Sequence, residues 1–200
     1  KDYARLDARL RAITFYAEDR GSWAHFAPMI DVLTNDMGRD IAYLTSDAGD
    51  PVLASDHPRI HAFEVGDGMG RTVLFKTMEA GVVVATVPQL GISLLPRSQR
   101  AEALGMQYVY VFHSLASTHM IYEPDGFDHF DTIMCTGPYM IEEIRRREAL
   151  HGLTAKELLP HGYGRLDTLR AHARPAPASR AEPTRTPAAV TIWSAGLSPR

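Results

Sequence analysis

The chain has 200 residues, 45% hydrophobic content and a formal net charge of -3 at pH 7, which is enough for one good core. Its 21 Lys and Arg residues against 24 Asp and Glu residues leave no basic excess, which argues against nucleic acid as a partner. No apolar run approaches the ~20 residues that span a bilayer, and no signal-peptide core begins the sequence. Cys135 is the only cysteine, so an intrachain disulfide is excluded and we expect a cytoplasmic protein.

Strand-like and helix-like segments alternate as far as residue 173. The predicted strands cover residues 12–18, 40–47, 58–65, 81–87, 107–112, 130–135 and 156–162. The predicted helices cover residues 21–36, 71–80, 95–105, 138–152 and 166–173. Continuous apolar runs such as Val82–Val84 favour a sheet that is covered on both faces. The predicted fold class is therefore α/β, with a doubly wound, parallel, Rossmann-like sheet.

The composition changes at Pro175. Residues 175–188 are rich in Pro, Ala and Thr, which is typical of a semi-extended linker. Residues 189–200 are strand-like again, as the first strand of a new βα unit would be. We therefore expect a first domain over residues 1–174, a linker over 175–188 and the start of a second domain at 189–200. The first residue is lysine rather than methionine, which fits a piece of a longer chain.

Ligands of open parallel sheets bind outside the carboxyl ends of the strands, so the residues that follow each strand are candidates for a site. They are Glu18, Asp19, Gly21 and Ser22 after the first strand, Thr45–Asp47 after the second, residues 66–70 after the third, Thr86–Gly91 with Pro88 after the fourth, and His113, Ser114 and Ser117 after the fifth. His113 ends the most β-prone run of the chain, and an imidazole with a pKa near ~6.5 suits general-base chemistry. The alternative is a histidine that only satisfies a loop carbonyl.

Two glycine-containing segments could hold an anion. The GDGMG run at residues 66–70 lacks the spacing of a dinucleotide fingerprint and follows the wrong strand, so we interpret it as a loop. Gly21 and Ser22 open the first long helix and form a better anion site, unless Ser22 is simply an N-cap.

Two charged segments have simpler structural interpretations. Residues 125–131 contain Asp125, Asp128, His129 and Asp131, which we interpret as a turn and a polar strand entrance rather than a metal site. Residues 142–148, EEIRRRE, have carboxylates and guanidiniums three and four residues apart, which is typical of a solvated helix face with ion pairs. We predict no metal and no cofactor.

Four motifs carry a resemblance to a known family. They are YVYVFHS (108–114), FDHFDTIMCTGP (127–138), EEIRRRE (142–148) and HGYGRLD (161–167). Together they resemble the CDP-glycerol glycerophosphotransferases, over residues 11–173. The resemblance implies a GT-B architecture, in which two Rossmann-like domains face each other across a cleft. The first would supply the acceptor side, and a second domain beginning near residue 189 would supply most of the nucleotide site.

The resemblance also assigns roles to individual residues. The family's His-Gly-Thr-Pro motif falls on residues 113–116, where only the histidine is retained, and it implies that His113 is the general base. The Gly-x-Pro-Arg-x-Asp motif falls on residues 162–167, with glycine in place of proline, and it implies substrate contacts by Gly162, Arg165 and Asp167. For Arg165 that contact would be bidentate to phosphate. The alternatives are a surface arginine and, for Asp167, a carboxylate in the first turn of a helix.

The implied reaction is the transfer of glycerol phosphate from CDP-glycerol to an acceptor hydroxyl, including a lipid-linked one, in the synthesis of teichoic-acid-type envelope polymers. The resemblance implies that the first half alone is inactive, and that the enzyme makes peripheral contact with the inner face of the cell membrane. The lost Gly-Thr-Pro tail points to an acceptor other than a teichoic acid. Two alternatives stay open: a GT-B glycosyltransferase or nucleotide-sugar epimerase, and a non-catalytic Rossmann-like binding domain.

Overall fold

The computed structural model describes residues 3–92 and 95–172, without the side chains of residues 171 and 172. Its centre is a sheet of seven parallel strands in the order β3-β2-β1-β4-β5-β6-β7. The strands are β1 (Ile13–Ala17), β2 (Ile41–Thr45), β3 (Ile60–Glu64), β4 (Val82–Ala85), β5 (Gln107–Val111), β6 (Thr132–Cys135) and β7 (Glu157–Pro160). Each lies within one predicted strand segment, so the prediction of a doubly wound α/β sheet is confirmed.

Helices connect the strands. They are α1 (Trp23–Asp31), α2 (Met69–Thr77), α3 (Ala101–Leu104), α4 (Thr118–Ile121), α5 (Pro138–His151) and α6 (Gly164–His172). Short 3₁₀ turns cover Tyr3–Arg5, Arg20–Ser22 and Pro51–Ala54, and a π-helical turn covers Val32–Asp36. The helix predicted at residues 95–105 is reduced to α3. Residues 98 and 99 instead bond to the end of α2, since the Ser98 hydroxyl donates to the Met78 carbonyl at 2.7 Å and the Gln99 amide donates to the Lys76 carbonyl at 2.9 Å.

The sheet has a hydrophobic core on each face, which explains its continuous apolar strands. On one face Phe15 of β1 packs edge-on against Phe26 of α1, with ring centres 5.2 Å apart. On the other face Tyr16 packs against Phe75 of α2, with ring centres 4.9 Å apart. Neighbouring residues of β1 therefore both point into protein, as a strand buried on both sides requires.

The order of the strands reverses between β1 and β4. β1 pairs with β2 on one side and with β4 on the other, while α1 and α2 lie on opposite faces of the sheet. The chain segments that leave β1 and β4 therefore diverge, and in open parallel sheets this divergence creates the ligand crevice.

The chain divides into two units, Lys1–Asp167, which contains the whole sheet, and Thr168–Arg200. The predicted linker at residues 175–188 and the predicted domain start at 189–200 lie outside the described residues. Within the described ranges, no helix combines the length and the apolar character needed to cross a membrane.

Candidate functional site

A cleft of about 530 Å³ opens at the carboxyl ends of β1, β4 and β5, where the strand order reverses. We call it the switch-point cleft. Its lining residues are Glu18, Asp19, Gly21, Ser22, His25, Thr86, Val87, Pro88, His113, Ile121, Tyr122 and Arg165. Six of the ten predicted site residues are among them: Gly21, Ser22, Thr86, Pro88, His113 and Arg165. The topology thus brings together residues that are as far apart in the chain as Glu18 and Arg165.

His113 stands two residues beyond β5, half-buried in the wall of the cleft. Burial lowers the pKa of its imidazole, while hydrogen bonding to the Thr86 backbone and the charges of Asp19 and Glu18 oppose that change. The Tyr163 hydroxyl donates to the His113 carbonyl at 3.1 Å, which fixes the loop that carries the ring. A neutral imidazole at neutral pH is the form that accepts a proton.

A chain of hydrogen-bonded hydroxyl groups begins at the His113 ring. The Tyr110 hydroxyl lies 3.3 Å from His113 Nδ1 and also interacts with the Tyr122 hydroxyl. Tyr122 in turn shares a hydrogen bond of 2.9 Å with the Ser114 hydroxyl. Burial holds the pKa of Tyr110 well above its ordinary value, so this hydroxyl stays protonated. Tyr110 therefore orients the imidazole without competing with it for the proton.

The turn between β1 and α1 contains its own carboxylate. Asp19 Oδ1 accepts hydrogen bonds from the amides of Gly21 at 2.8 Å and Ser22 at 3.2 Å. A side chain on Gly21 would lie 3.0 Å from that oxygen, which explains the glycine. The Ser22 side chain makes no capping bond, and its hydroxyl instead accepts from the Thr86 hydroxyl at 3.3 Å. The amides predicted to bind a ligand anion are thus already satisfied by Asp19, and Asp19 rather than Ser22 is the cap.

His25 also faces the cleft, and the sequence reasoning missed it. It lies in the first turn of α1, with its ring centre 6.1 Å from that of His113 and 5.7 Å from that of Tyr163. Burial, then the neighbouring His113 and Arg165, lower the pKa of His25, whereas Asp19 opposes them. The position of His25 in the sequence could have indicated this, because His25 follows the predicted site residue Ser22 by about one helical turn, in the helix after β1.

The HGYGRLD segment, residues 161–167, joins the walls of the cleft. Gly162 has a left-handed φ of 79°, which turns the chain after β7 toward the cleft. Tyr163 then contacts His25 with its ring and the His113 backbone with its hydroxyl. Arg165 follows at the start of α6 and lines the cleft with an exposed side chain. Gly162 and Arg165 of the predicted motif thus have different roles. Gly162 shapes the turn, and only Arg165 lines the cleft.

Four predicted site residues do not line the cleft: Ser114, Ser117, Gly162 and Asp167. Ser114 acts on the cleft only through Tyr122. Ser117 donates to Glu143 Oε1 at 2.6 Å and so belongs to the start of α4. Asp167 is exposed in the first turn of α6, where a carboxylate favours the helix N-terminus. The predicted substrate contacts of these four residues therefore have no counterpart in the cleft geometry.

Two of the acidic residues at 125–131, Asp128 and Asp131, have structural partners. Asp128 forms a bidentate ion pair with Arg147, with oxygen–nitrogen distances of 2.6 and 2.8 Å. Asp131 pairs with Arg97 and accepts from the Tyr108 amide at 2.8 Å. In the described part of the chain, no group of three His, Cys, Asp or Glu side chains is arranged to hold a metal ion. Burial raises the pKa of the Cys135 thiol to about 11, so this thiol is not a nucleophile at neutral pH.

The fold and the cleft together define a doubly wound, Rossmann-like domain with a cleft at its switch point, where open parallel sheets bind their ligands. The site offers a neutral imidazole for a proton, carboxylates that stabilise the protonated ring and a guanidinium for an anion. No protein-family model, curated protein sequence or solved structure matches this chain. The likeness to the CDP-glycerol glycerophosphotransferases therefore rests on the sequence motifs alone.

Proposed function

We propose that this chain supplies the acceptor half of a transferase that moves glycerol phosphate from CDP-glycerol to an acceptor hydroxyl. The observation that carries the proposal is the position of His113, which lies in the switch-point cleft with a lowered pKa and a fixed backbone. Catalysis of this kind needs a base at the place where the alcohol enters. The role in envelope polymer synthesis and the contact with a membrane surface belong to the same proposal and rest on the resemblance.

In the proposed step, the acceptor O–H transfers its proton to the His113 imidazole. The acceptor oxygen forms a new bond to the β-phosphorus of CDP-glycerol, the bond from that phosphorus to the bridging oxygen breaks, and CMP leaves. The charges of Asp19 and Glu18 stabilise the imidazolium that His113 becomes. Among the described residues that line the cleft, Arg165 is the one arginine or lysine, and it suits the negative charge that develops on the phosphoryl oxygens.

The charge of the cleft supports an acceptor site rather than a nucleotide site. Glu18 and Asp19 line it, and both histidines have lowered pKa values. Among the described lining residues, Arg165 alone therefore opposes two carboxylates at neutral pH. A diphosphate held entirely here would meet repulsion from these carboxylates. An uncharged hydroxyl meets none. Most of the contacts to the donor phosphates are therefore assigned to the second domain that the resemblance implies.

The test is nucleotide release by the full-length protein. With CDP-glycerol as donor and glycerol as a minimal alcohol, we expect CMP release that depends on His113. Release of UDP from UDP-sugars, or interconversion of the sugar, would instead favour the glycosyltransferase or epimerase alternative. Binding without turnover of either donor would favour the non-catalytic domain, and in that case His113→Ala would leave cellular function intact.

A further inference from the structure

Two imidazoles, rather than one, face the switch-point cleft. The rings of His25 and His113 lie edge to face, with centres 6.1 Å apart and planes 71° apart. They come from opposite walls, one from the first turn of α1 and the other from the loop after β5. A small alcohol in the cleft can therefore contact both rings, and a hydrogen bond from either ring to its hydroxyl oxygen would span about 2.7–3.0 Å.

The two rings differ in their other partners. His113 is fixed by Tyr110 and by the Thr86 backbone. Neither nitrogen of the His25 ring forms a hydrogen bond to another residue in the described part of the chain, although Tyr163 packs on the ring. A half-buried imidazole without a protein partner is suited to a ligand that supplies one.

The charges around the pair favour different roles for the two rings. The charged and titratable groups near them are Glu18, Asp19, Tyr110, Tyr122, Tyr163 and Arg165. Glu18 and Asp19 favour a positive charge on His113. Arg165 and a protonated His113 both disfavour one on His25. A proton that enters the cleft therefore belongs on His113, while His25 stays neutral and keeps one N–H group.

We propose that His25 is a second catalytic residue, which donates its N–H to the acceptor oxygen while His113 takes the proton of that same hydroxyl. This inference rests on the proposed function and extends it to the way in which the alcohol is held. In the step, the O–H bond breaks and its proton moves to His113, while the oxygen lone pair forms a bond to phosphorus and the bond from phosphorus to CMP breaks. The His25 N–H stays bonded to its own ring throughout and stabilises the charge that develops on the oxygen.

The roles of donor and base separate in substitutions that keep or remove an N–H. Glutamine supplies an amide N–H but no base, and phenylalanine supplies neither. In the full-length protein we expect His25→Phe to lose roughly 10-fold in kcat/KM, and His25→Gln to recover much of that loss. His113→Gln should lose at least ~100-fold, like removal of any general base. Exposed His151, at the end of α5, provides the control His151→Gln, which should keep the wild-type rate.

Two kinetic results would overturn the inference. One is an unchanged rate in His25→Phe, and the other is a loss in His25→Gln as large as that in His113→Gln. A double variant sharpens the test, because residues that act on one hydroxyl have non-additive effects. We expect His25→Phe combined with His113→Gln to be little worse than His113→Gln alone. Fully additive losses would mean that the rings do not share a hydroxyl.

A readout without turnover separates this inference from the proposed function. Histidine ring signals in NMR spectra of the full-length protein, assigned from the variants, should shift together for His25 and His113 when glycerol is added. CMP release without a His25 response would overturn the inference and leave the proposed function standing. A response of both rings without CMP release would overturn the proposed function and the catalytic role of His25, and would leave only a shared hydroxyl-binding site. The absence of both signals would overturn that site as well.

Discussion

The switch-point cleft and helix α5 are both rich in charged side chains, but these side chains have different partners in the two places. On α5, Arg145 donates to Glu148 at 2.6 Å, and Glu148 also accepts from the Lys156 amide at 2.9 Å. In the cleft, neither Glu18 nor Arg165 forms a hydrogen bond or ion pair with another residue that the structure describes.

This difference distinguishes a structural cluster from a ligand site. A charge that the fold needs is paired within the fold, because an unpaired buried charge is costly. A charge that serves a ligand keeps its bonding capacity for that ligand. Arg145 and Arg147 of EEIRRRE are of the first kind, since they pair with the largely buried carboxylates of Glu148 and Asp128. Under the proposed function, we expect Arg165 to be of the second kind.

The largest predicted effect tests the structural cluster. Glu148→Ala should lower the free energy of unfolding by about 3–5 kcal/mol, because it leaves the Lys156 ammonium buried without its carboxylate. The side chains of Lys156 and Glu148 are only 5% and 7% exposed, with Nζ and Oε1 3.8 Å apart. Urea denaturation measures the loss, and the rate per folded molecule should be unchanged.

The matched control is Glu142→Ala on the same helix. Glu142 pairs with Arg146 at 3.0 Å in the i,i+4 arrangement, but its side chain is 67% exposed. Screening by water makes such a pair contribute less than about 1 kcal/mol. If the two variants lost equal stability, burial would not be what distinguishes the α5 cluster.

The second prediction concerns the cleft, where the effect should appear in the rate and not in stability. His113→Ala should reduce turnover at least ~100-fold, as loss of a general base does. Its free energy of unfolding should change by no more than about 2 kcal/mol, since the ring is only half-buried and loses neutral hydrogen bonds to Tyr110 and the Thr86 backbone. A large loss of stability with an unchanged rate would show that His113 has a structural role and not a catalytic one.

The strands were predictable from the sequence, and the contacts between distant segments were not. Each of the seven strands carries a short apolar or β-branched run, which is a local property. Helix α4 was not predicted because its cap comes from Glu143, whose carboxylate accepts from the Thr118 amide at 2.7 Å. His25 was missed for a related reason. It lies near His113 because β1 and β5 are close in the sheet, with only β4 between them. The order of the strands is not a local property of the sequence.

The third prediction tests how the HGYGRLD segment positions the cleft. Gly162→Ala should lower the free energy of unfolding by about 1–2 kcal/mol, because φ is 79° there and a side chain is strained in left-handed backbone. The acceptor KM should rise as well, since Tyr163 follows directly and anchors both histidines. Urea denaturation and initial rates measure the two effects.

Replacing a glycine that has no left-handed backbone should raise the free energy of unfolding instead of lowering it. Gly70 lies within α2, has no positive φ, and a Cβ there would meet nothing within 4 Å. Gly70→Ala should therefore stabilise the protein by about 0.5–1 kcal/mol, through helix propensity alone. Equal losses in both variants would show that the turn at Gly162 has no special role.

The smallest predicted effect is a pH dependence of stability that originates in the cleft. Burial lowers the pKa values of His113 and His25, so between those values and about 6.5 the unfolded chain binds more protons than the folded one. Stability should therefore fall as the pH decreases through that window. Replacing either ring with glutamine removes a group that resists protonation, so the decline between pH 7 and pH 5 should be shallower in His113→Gln than in the wild type. Urea denaturation at pH 7 and pH 5 measures this decline in both proteins. A steeper decline in the variant would mean that the folded state favours the imidazolium form of His113, as a solvent-filled or anion-bearing cleft would.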